Sequence, residues 1–178
     1  MEEKPRSSTV HALYYGLITG AAMIVYSLIL YIANLYMNRT LGLVSMALLI
    51  GGMVWGAVEY RKSYLNGFMT YGQAFSSCFM IGLFAGILSA IYMFGFAEFI
   101  NPNFSQEILE KARQGMVESG QKMTEEQMDQ AMVWTERFTT PVMLCVWGFI
   151  THVFFSAILA LLTAIFLRKE DKSLTSNI

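Results

Sequence analysis

The sequence has few charged residues for its length, and this scarcity indicates its class. Of its 178 residues only 14% are Asp, Glu, Lys or Arg, whereas about a quarter is typical of soluble domains. Hydrophobic residues make up 55%, and the formal net charge is −1. This composition excludes an ordinary soluble domain, and the charge gives no indication of a nucleic-acid partner. The charges that are present are concentrated between long uncharged stretches, which favours a membrane protein.

Cysteine is also scarce, and recognisable catalytic motifs are lacking. Cys78 and Cys145 lie in apolar stretches, and we interpret both as small buried hydrophobic residues rather than as a disulfide framework. The sequence contains no dinucleotide-binding glycine motif, P-loop, HExxH motif, CxxC pair or GxSxG serine motif. The 13 methionines are scattered, as core filler would be. We therefore expect no catalytic residue, no metal site and no cofactor, and we do not expect an enzyme.

Four long stretches with little or no charge are predicted to cross the membrane. At about 1.5 Å per residue the first, third and fourth are long enough for a hydrocarbon core of about 30 Å, and the second, which is the shortest, reaches roughly 28 Å. The first run is too long for the core of a signal peptide, so we interpret it as an uncleaved span. The fold class predicted is all-α, a polytopic four-transmembrane-helix bundle forming a single membrane domain over residues 1–178. The predicted spans are residues 12–37, 40–58, 74–98 and 141–167.

The connection between the third and fourth predicted spans, residues 101–139, is polar and acidic. Two amphipathic helices are predicted in it, separated by a stop at Gly120. Thr124 and Gln127 fit a capping box at the start of the second helix. This extracytoplasmic segment could cover the ends of the spans, lie on lipid or bind a partner. The predicted apolar faces are Ile108, Leu109, Ala112 and Met116 in the first helix, and Met128, Ala131, Met132 and Thr135 in the second.

The distribution of basic residues predicts the orientation. Four spans place both termini on one side of the membrane, and the segments on that side are richer in Lys and Arg than the opposite side. Because positively charged segments stay in the cytoplasm, we predict cytoplasmic N- and C-termini. The basic residues on the predicted cytoplasmic side are Lys4, Arg6, Arg61, Lys62, Arg168, Lys169 and Lys172.

Pairs of small residues four positions apart predict how the spans pack. Lipid gives helices no hydrophobic reason to associate, so close approach depends on small side chains. The fourth span carries Ser156, Ala160 and Ala164 at this spacing. These faces predict a compact bundle, with a homo-oligomer as the alternative use of the same surfaces. The glycines with this spacing in the first three spans are Gly16, Gly20, Gly52, Gly56, Gly82 and Gly86.

Four polar residues are candidates for a functional role. His152 is about midway along the fourth span, where ionisable groups are costly and often functional. It is either a proton-sensitive or ligand-contacting group, or a neutral imidazole that is hydrogen-bonded to Thr151, Ser156, a neighbouring span or a carbonyl. Glu59 and Glu98 end the second and third spans, and Gln73 lies near the start of the third. For both glutamates the alternative to a functional role is a carboxylate in the headgroup layer.

Three short strings of the sequence carry a resemblance to a known family. They are Tyr15-Gly16-Leu17, Tyr60-Arg61-Lys62 through Gly72-Gln73-Ala74-Phe75, and Asn101-Pro102-Asn103-Phe104. With them the chain resembles domain-of-unknown-function family 4199, which comprises small bacterial membrane proteins with four predicted spans. The resemblance implies a four-span topology and a location in the bacterial inner membrane. It supplies no activity and no site residue.

Three functions are compatible with the sequence. The first is a non-catalytic, envelope-associated protein that binds a membrane or periplasmic protein through residues 103–138. The second is a small oligomeric transporter or channel, although no span has the polar stripe that would line a water path. The third is a lipid-modifying enzyme, for which Glu59, Arg61, Lys62 and Gln73 on one side and Glu98, Asn101 and Asn103 on the other are the candidate clusters.

Overall fold

The computed structural model describes residues 8–118 and 124–169, and over these residues the chain is helical. Four of the described helices are long and apolar enough to cross a membrane. The predicted all-α class with four apolar helices is thus confirmed, whereas the predicted stop at Gly120 lies outside the described residues. The helices are α1 (Ser8–Ile32), α2 (Arg39–Tyr64), α3 (Tyr71–Gly95) with a π-helical extension (Phe96–Ile100), α4 (Phe104–Glu118), α5 (Glu125–Phe138) and α6 (Pro141–Leu167).

Asparagine, rather than charge, ends the first long helix. α1 ends at Ile32, before residue 37, and Asn34 adopts a left-handed backbone with φ of 56°. Asn38 then caps α2, accepting hydrogen bonds from Thr40 N at 3.0 Å and from Leu41 N at 3.4 Å. Because Asn34 is uncharged, the charge-free run of residues 12–37 extends past the end of the helix.

The second long helix continues past its apolar run. α2 extends beyond residue 58 to Tyr64, because Glu59, Arg61 and Lys62 are compatible with helix once it leaves the hydrocarbon layer. The chain then turns at Asn66 and Gly67, where φ is 51° and 84°. These positive φ values explain why asparagine and glycine occupy the turn.

Contacts divide the chain into two compact units. The first contains residues up to Ser89 and from Thr151 onward, and so includes α1, α2, most of α3 and most of α6. Its buried side chains are mostly small, which lets the helix backbones approach one another closely. The fully buried residues of this core are Met53, Ala57, Ala74, Cys78, Ile81, Ala85, Ala160 and Ala164.

The large apolar side chains of the first unit point outward. Trp55 is 53% exposed, Phe154 62% and Phe166 85%. A surface of this kind would be a liability in water but is the normal surface of a helix in lipid. The combination of a small-residue interior with a bulky apolar exterior supports a multi-pass membrane protein.

The second unit spans Ala90–Ile150. It holds the end of α3, the π-helical turn, α4, α5 and the first turns of α6. Thr124 begins α5 with the predicted capping box, because its side chain accepts from Gln127 N while Gln127 Oε1 accepts from Thr124 N. α4 and α5 contact each other, and the residues of their predicted apolar faces are each half-buried.

Candidate functional site

His152 joins α6 to α3. Its Nε2 lies 3.2 Å from the carbonyl oxygen of Gly82. The ring covers Gly86, where an added Cβ would lie 2.6 Å from His152 Cδ2. The absence of a side chain at both glycines therefore lets the imidazole reach the α3 backbone. One turn further along α6, Ser156 packs on Gly82 within 2.7 Å of where a Cβ would be.

The Ser156 hydroxyl is unusual in this contact. It is fully buried, and its oxygen has no hydrogen-bond partner within the part of the chain that the structure describes. A buried unpaired hydroxyl costs about 1–3 kcal/mol. At this contact the His152 imidazole thus has a hydrogen-bond partner, whereas the Ser156 hydroxyl has none among the described residues.

His11 occupies a second polar contact that the sequence analysis did not identify. Its Nε2 donates to the carbonyl oxygen of Gly56 at 2.9 Å, which links α1 to α2. The ring is packed among the rings of Tyr15, Tyr60 and Tyr64, with centroid distances of 4.6, 5.3 and 5.4 Å. The signal that could have revealed it was the placement of His11 one helical turn before Tyr15, at the polar start of the first apolar run.

Glu59 and Gln73 each bond to a near neighbour in the sequence. Glu59 Oε1 accepts from Ser63 Oγ at 3.1 Å. Gln73 Oε1 accepts from Thr70 N at 2.9 Å, so Gln73 helps begin α3. Among the described residues, no hydrogen bond or ion pair connects these two side chains.

Arg61, from the same predicted cluster, bonds elsewhere. Its Nη1 donates to the carbonyl oxygen of Leu167 at 3.0 Å, which satisfies one of the last carbonyls of α6. Beside it, Met69 and Lys169 exchange two backbone hydrogen bonds of 2.8 Å. This part of the surface therefore fastens the end of α6 to α2 and to the connection before α3.

Glu98 lies in the π-helical turn at the end of α3, and its side chain is exposed. The turn brings the Asn101 N–H to the Phe96 carbonyl oxygen at 2.8 Å. Asn101 is buried, and its Nδ2 lies 3.3 Å from both carboxylate oxygens of Glu107. These bonds link the end of α3 to the first turn of α4.

The six glycines that are paired at a spacing of four in the first three long helices lie at close helix contacts. A Cβ on Gly16 would lie 2.6 Å from Phe84 Cβ and 2.8 Å from the Ile81 carbonyl oxygen, so α1 approaches the α3 backbone there. At Gly52 it would overlap the Thr19 side chain. At Gly20, Gly56, Gly82 and Gly86 the nearest atoms belong, respectively, to Leu88, Ile81, Met53 and His152.

A groove of about 540 Å³ lies along α4 and α5. Its apolar walls include Leu109, Val117 and Met132, and charged side chains of both signs stand beside them. Val117 is 63% exposed. The charged and polar lining residues are Glu110, Arg113, Gln114 and Glu118.

An aromatic row runs from α5 onto α6, and the sequence analysis missed it. The ring centroids of Trp134 and Phe138 are 6.4 Å apart, and those of Phe138 and Trp147 are 6.0 Å apart. The Arg137 guanidinium lies 5.5 Å from the Trp134 ring centroid. All three rings remain largely exposed. The predicted apolar face of α5 comprises Met128, Ala131, Met132 and Thr135, whereas the aromatic residues lie on a second face of the same helix.

These contacts define the chain as a polytopic helical membrane protein with a small-residue core and a separate pair of amphipathic helices. It belongs to a family described as Protein of unknown function (DUF4199), whose model matches residues 14–169. No match was found among curated proteins or among solved structures. Within residues 8–118 and 124–169, no three His, Cys, Asp or Glu side chains are grouped as a metal site would require.

Proposed function

We propose that this protein is a non-catalytic interaction protein of the bacterial inner membrane. In this account the long helices anchor it, and α4 and α5 bind an envelope protein on the extracytoplasmic side. The observation that carries the proposal is the groove between α4 and α5, which offers Leu109, Val117 and Met132 beside charges of both signs. Such a lining fits an amphipathic peptide segment of a partner.

The packing of the first unit supports the same account. Helix contacts are made through glycine at atom-to-atom distances that leave no space for a side chain, as at Gly16 and Gly86. A transport path or a substrate pocket needs a polar, accessible lining. These glycine contacts leave no room for one, although a cavity of about 240 Å³ beside Tyr60, Gln73 and Ser77 lies elsewhere in the same unit. A tightly packed anchor with a separate helical pair instead favours binding through the pair.

The orientation follows from the basic residues. Arg61 and Lys62 at the end of α2, with Arg168 and Lys169 at the end of α6, form the more basic side. The positive-inside rule assigns that side to the cytoplasm, together with both termini. α4 and α5 then face the periplasm, where the partner is expected.

Site-specific photocrosslinking in native membranes tests the proposal. A photoreactive residue replaces Arg113 or Val117 in the groove. Gly115 provides the matched control, because it is exposed, lies about 160° from both positions around α4 at 3.6 residues per turn, and has nothing within 4 Å of an added Cβ. We expect adducts with the same foreign protein from both groove positions and none from position 115. Adducts only with the chain itself or with lipid at the groove positions would contradict the proposal.

A small transporter or channel is the second candidate, favoured by the contact of His152 and Ser156 with α3. An imidazole and an unpaired hydroxyl at span depth are the groups that a polar path would need. Flux measurements on purified protein in liposomes, with and without a pH gradient, test this candidate. Proton or solute flux that His152→Leu abolishes would support it, and equal leakage from protein-containing and empty liposomes would count against it.

A further inference from the structure

The short connection between α5 and α6 fixes the depth of the end of α5. Only Thr139 and Thr140 separate Phe138 from Pro141, the first residue of α6. Thr139 is buried, and its Oγ1 donates to the Thr135 carbonyl oxygen at 3.0 Å, so the connection is compact. Because α6 is a membrane-crossing helix, the last turn of α5 must lie at the membrane boundary.

The aromatic row connects the last turn of α5 to the second turn of α6. Trp147 is on the second turn of α6, roughly 9 Å from its start by helix rise, and it is 48% exposed. Exposed side chains here, such as Val142 and Val146 beside it, belong to the lipid-facing surface of a span. Phe138 packs edge to face against Trp147, and Trp134 stacks on Phe138. The lipid-facing surface of α6 therefore continues onto α5.

The two flanks of α5 differ in chemistry. Trp134 and Phe138 lie on one flank, and Arg137 lies at its edge with the guanidinium against the Trp134 ring. Asp129 and Glu136 lie roughly 140–180° from both rings at 3.6 residues per turn, and both are exposed. Trp and Arg suit the headgroup layer, where a ring meets the acyl chains and a guanidinium meets phosphate. Carboxylates favour water. The rings and these two carboxylates are thus arranged as on a helix that rests on a bilayer.

We propose that the Trp134–Phe138 flank of α5 is seated in the phospholipid headgroup layer, with the bilayer as its occupant, so that α5 is an interfacial helix. This inference goes beyond the proposed function, because it concerns the flank opposite the acidic side and does not require the groove to bind anything. Seating of this flank in the headgroup layer would hold the α4–α5 pair flat against the membrane and so set the direction in which the groove opens.

Tryptophan fluorescence of the full chain in lipid nanodiscs tests the seating. The Trp55→Phe/Trp147→Phe variant leaves Trp134 as the one tryptophan, since the chain has three. The matched control carries all three Trp→Phe changes together with Glu136→Trp, which places the probe on the acidic flank. Quenching is compared between acrylamide in the water and phospholipids brominated near the carbonyl end of their acyl chains.

We expect bromolipid to quench Trp134 several-fold more than the control probe, and acrylamide to quench it several-fold less. Equal quenching at the two positions by both agents would overturn the proposal. Where the tryptophan changes prevent folding, a photoreactive phenylalanine replacing Phe138 gives a second measurement in native membranes. Phospholipid adducts support lipid as the occupant, and adducts exclusively with another protein overturn it. Neither result depends on what the groove binds.

Discussion

His11 Nε2 lies 2.9 Å from the carbonyl oxygen of Gly56, so an imidazole on α1 bonds directly to the backbone of α2. The bond is possible because Gly56 has no side chain to hold the helices apart, and because Tyr60 and Tyr64 enclose the ring. A buried polar contact between spans is thus combined with aromatic packing at a single residue.

Substitution of His11 should separate these two contributions. We expect His11→Ala to destabilise the protein by about 1–2 kcal/mol, through the lost interhelical hydrogen bond and the lost ring contacts. His11→Phe keeps the ring and should cost less. Reversible unfolding in mixed micelles, followed by circular dichroism, measures both. Equal and negligible losses in the two variants would show that this contact contributes little to stability.

Glycine substitutions should depend on the space observed around each glycine. Gly16→Ala places a methyl group against the Phe84 Cβ and the Ile81 carbonyl oxygen, neither of which is the flexible end of a side chain. We expect a loss of about 1–3 kcal/mol. Gly148→Ala is the matched control, because nothing lies within 4 Å of its added Cβ, and it should be neutral or slightly stabilising. Thermal unfolding in detergent compares the two, and similar Tm shifts would contradict the described packing.

Cysteine labelling should report whether the core opens. Cys78 is fully buried and its Sγ lies 3.7 Å from the Met53 carbonyl oxygen. In a Cys145→Ser background, we expect no maleimide addition to Cys78 in native membranes and complete addition after denaturation in SDS, measured as a gel-mobility shift. Rapid labelling of the native protein would indicate an opening bundle and would favour the transporter candidate.

The proposed orientation can be checked with two exposed positions on opposite sides. In a chain without native cysteines, Lys62→Cys marks the end of α2 and Asp129→Cys marks the acidic flank of α5. A membrane-impermeant maleimide applied to intact spheroplasts should label position 129 and should label position 62 only after permeabilisation. The reverse pattern would place the termini outside the cytoplasm.

The sequence predicts the helical architecture well because charge is so costly in the hydrocarbon layer that it marks the spans. It predicts helix ends less well. Asn34 ends α1 inside a charge-free run, and Glu59 continues α2 beyond one. Backbone conformation, rather than polarity, decides where a helix stops. The capping box at Thr124 was predictable because it depends on residues three positions apart.

Side-chain contacts between helices could not be predicted from the sequence. Whether His11 or His152 meets a carbonyl depends on how each helix is rotated, and no pattern within a single helix determines this rotation. The aromatic row was missed for a related reason. Trp134 and Trp147 lie on different helices, and they belong to one row because the Phe138 ring contacts both of their rings.

The central claim is that the groove between α4 and α5 binds a protein partner, and co-purification with a groove variant tests it most directly. Arg113→Glu combined with Val117→Asp changes the lining, and Lys111→Glu changes an exposed charge outside it. Proteins that co-purify from gently solubilised native membranes are quantified by mass spectrometry. We predict that one partner falls by about tenfold with the groove variant, which corresponds to about 1.4 kcal/mol, and stays unchanged with Lys111→Glu. Equal recovery of every co-purifying protein with the wild type and both variants would contradict the account.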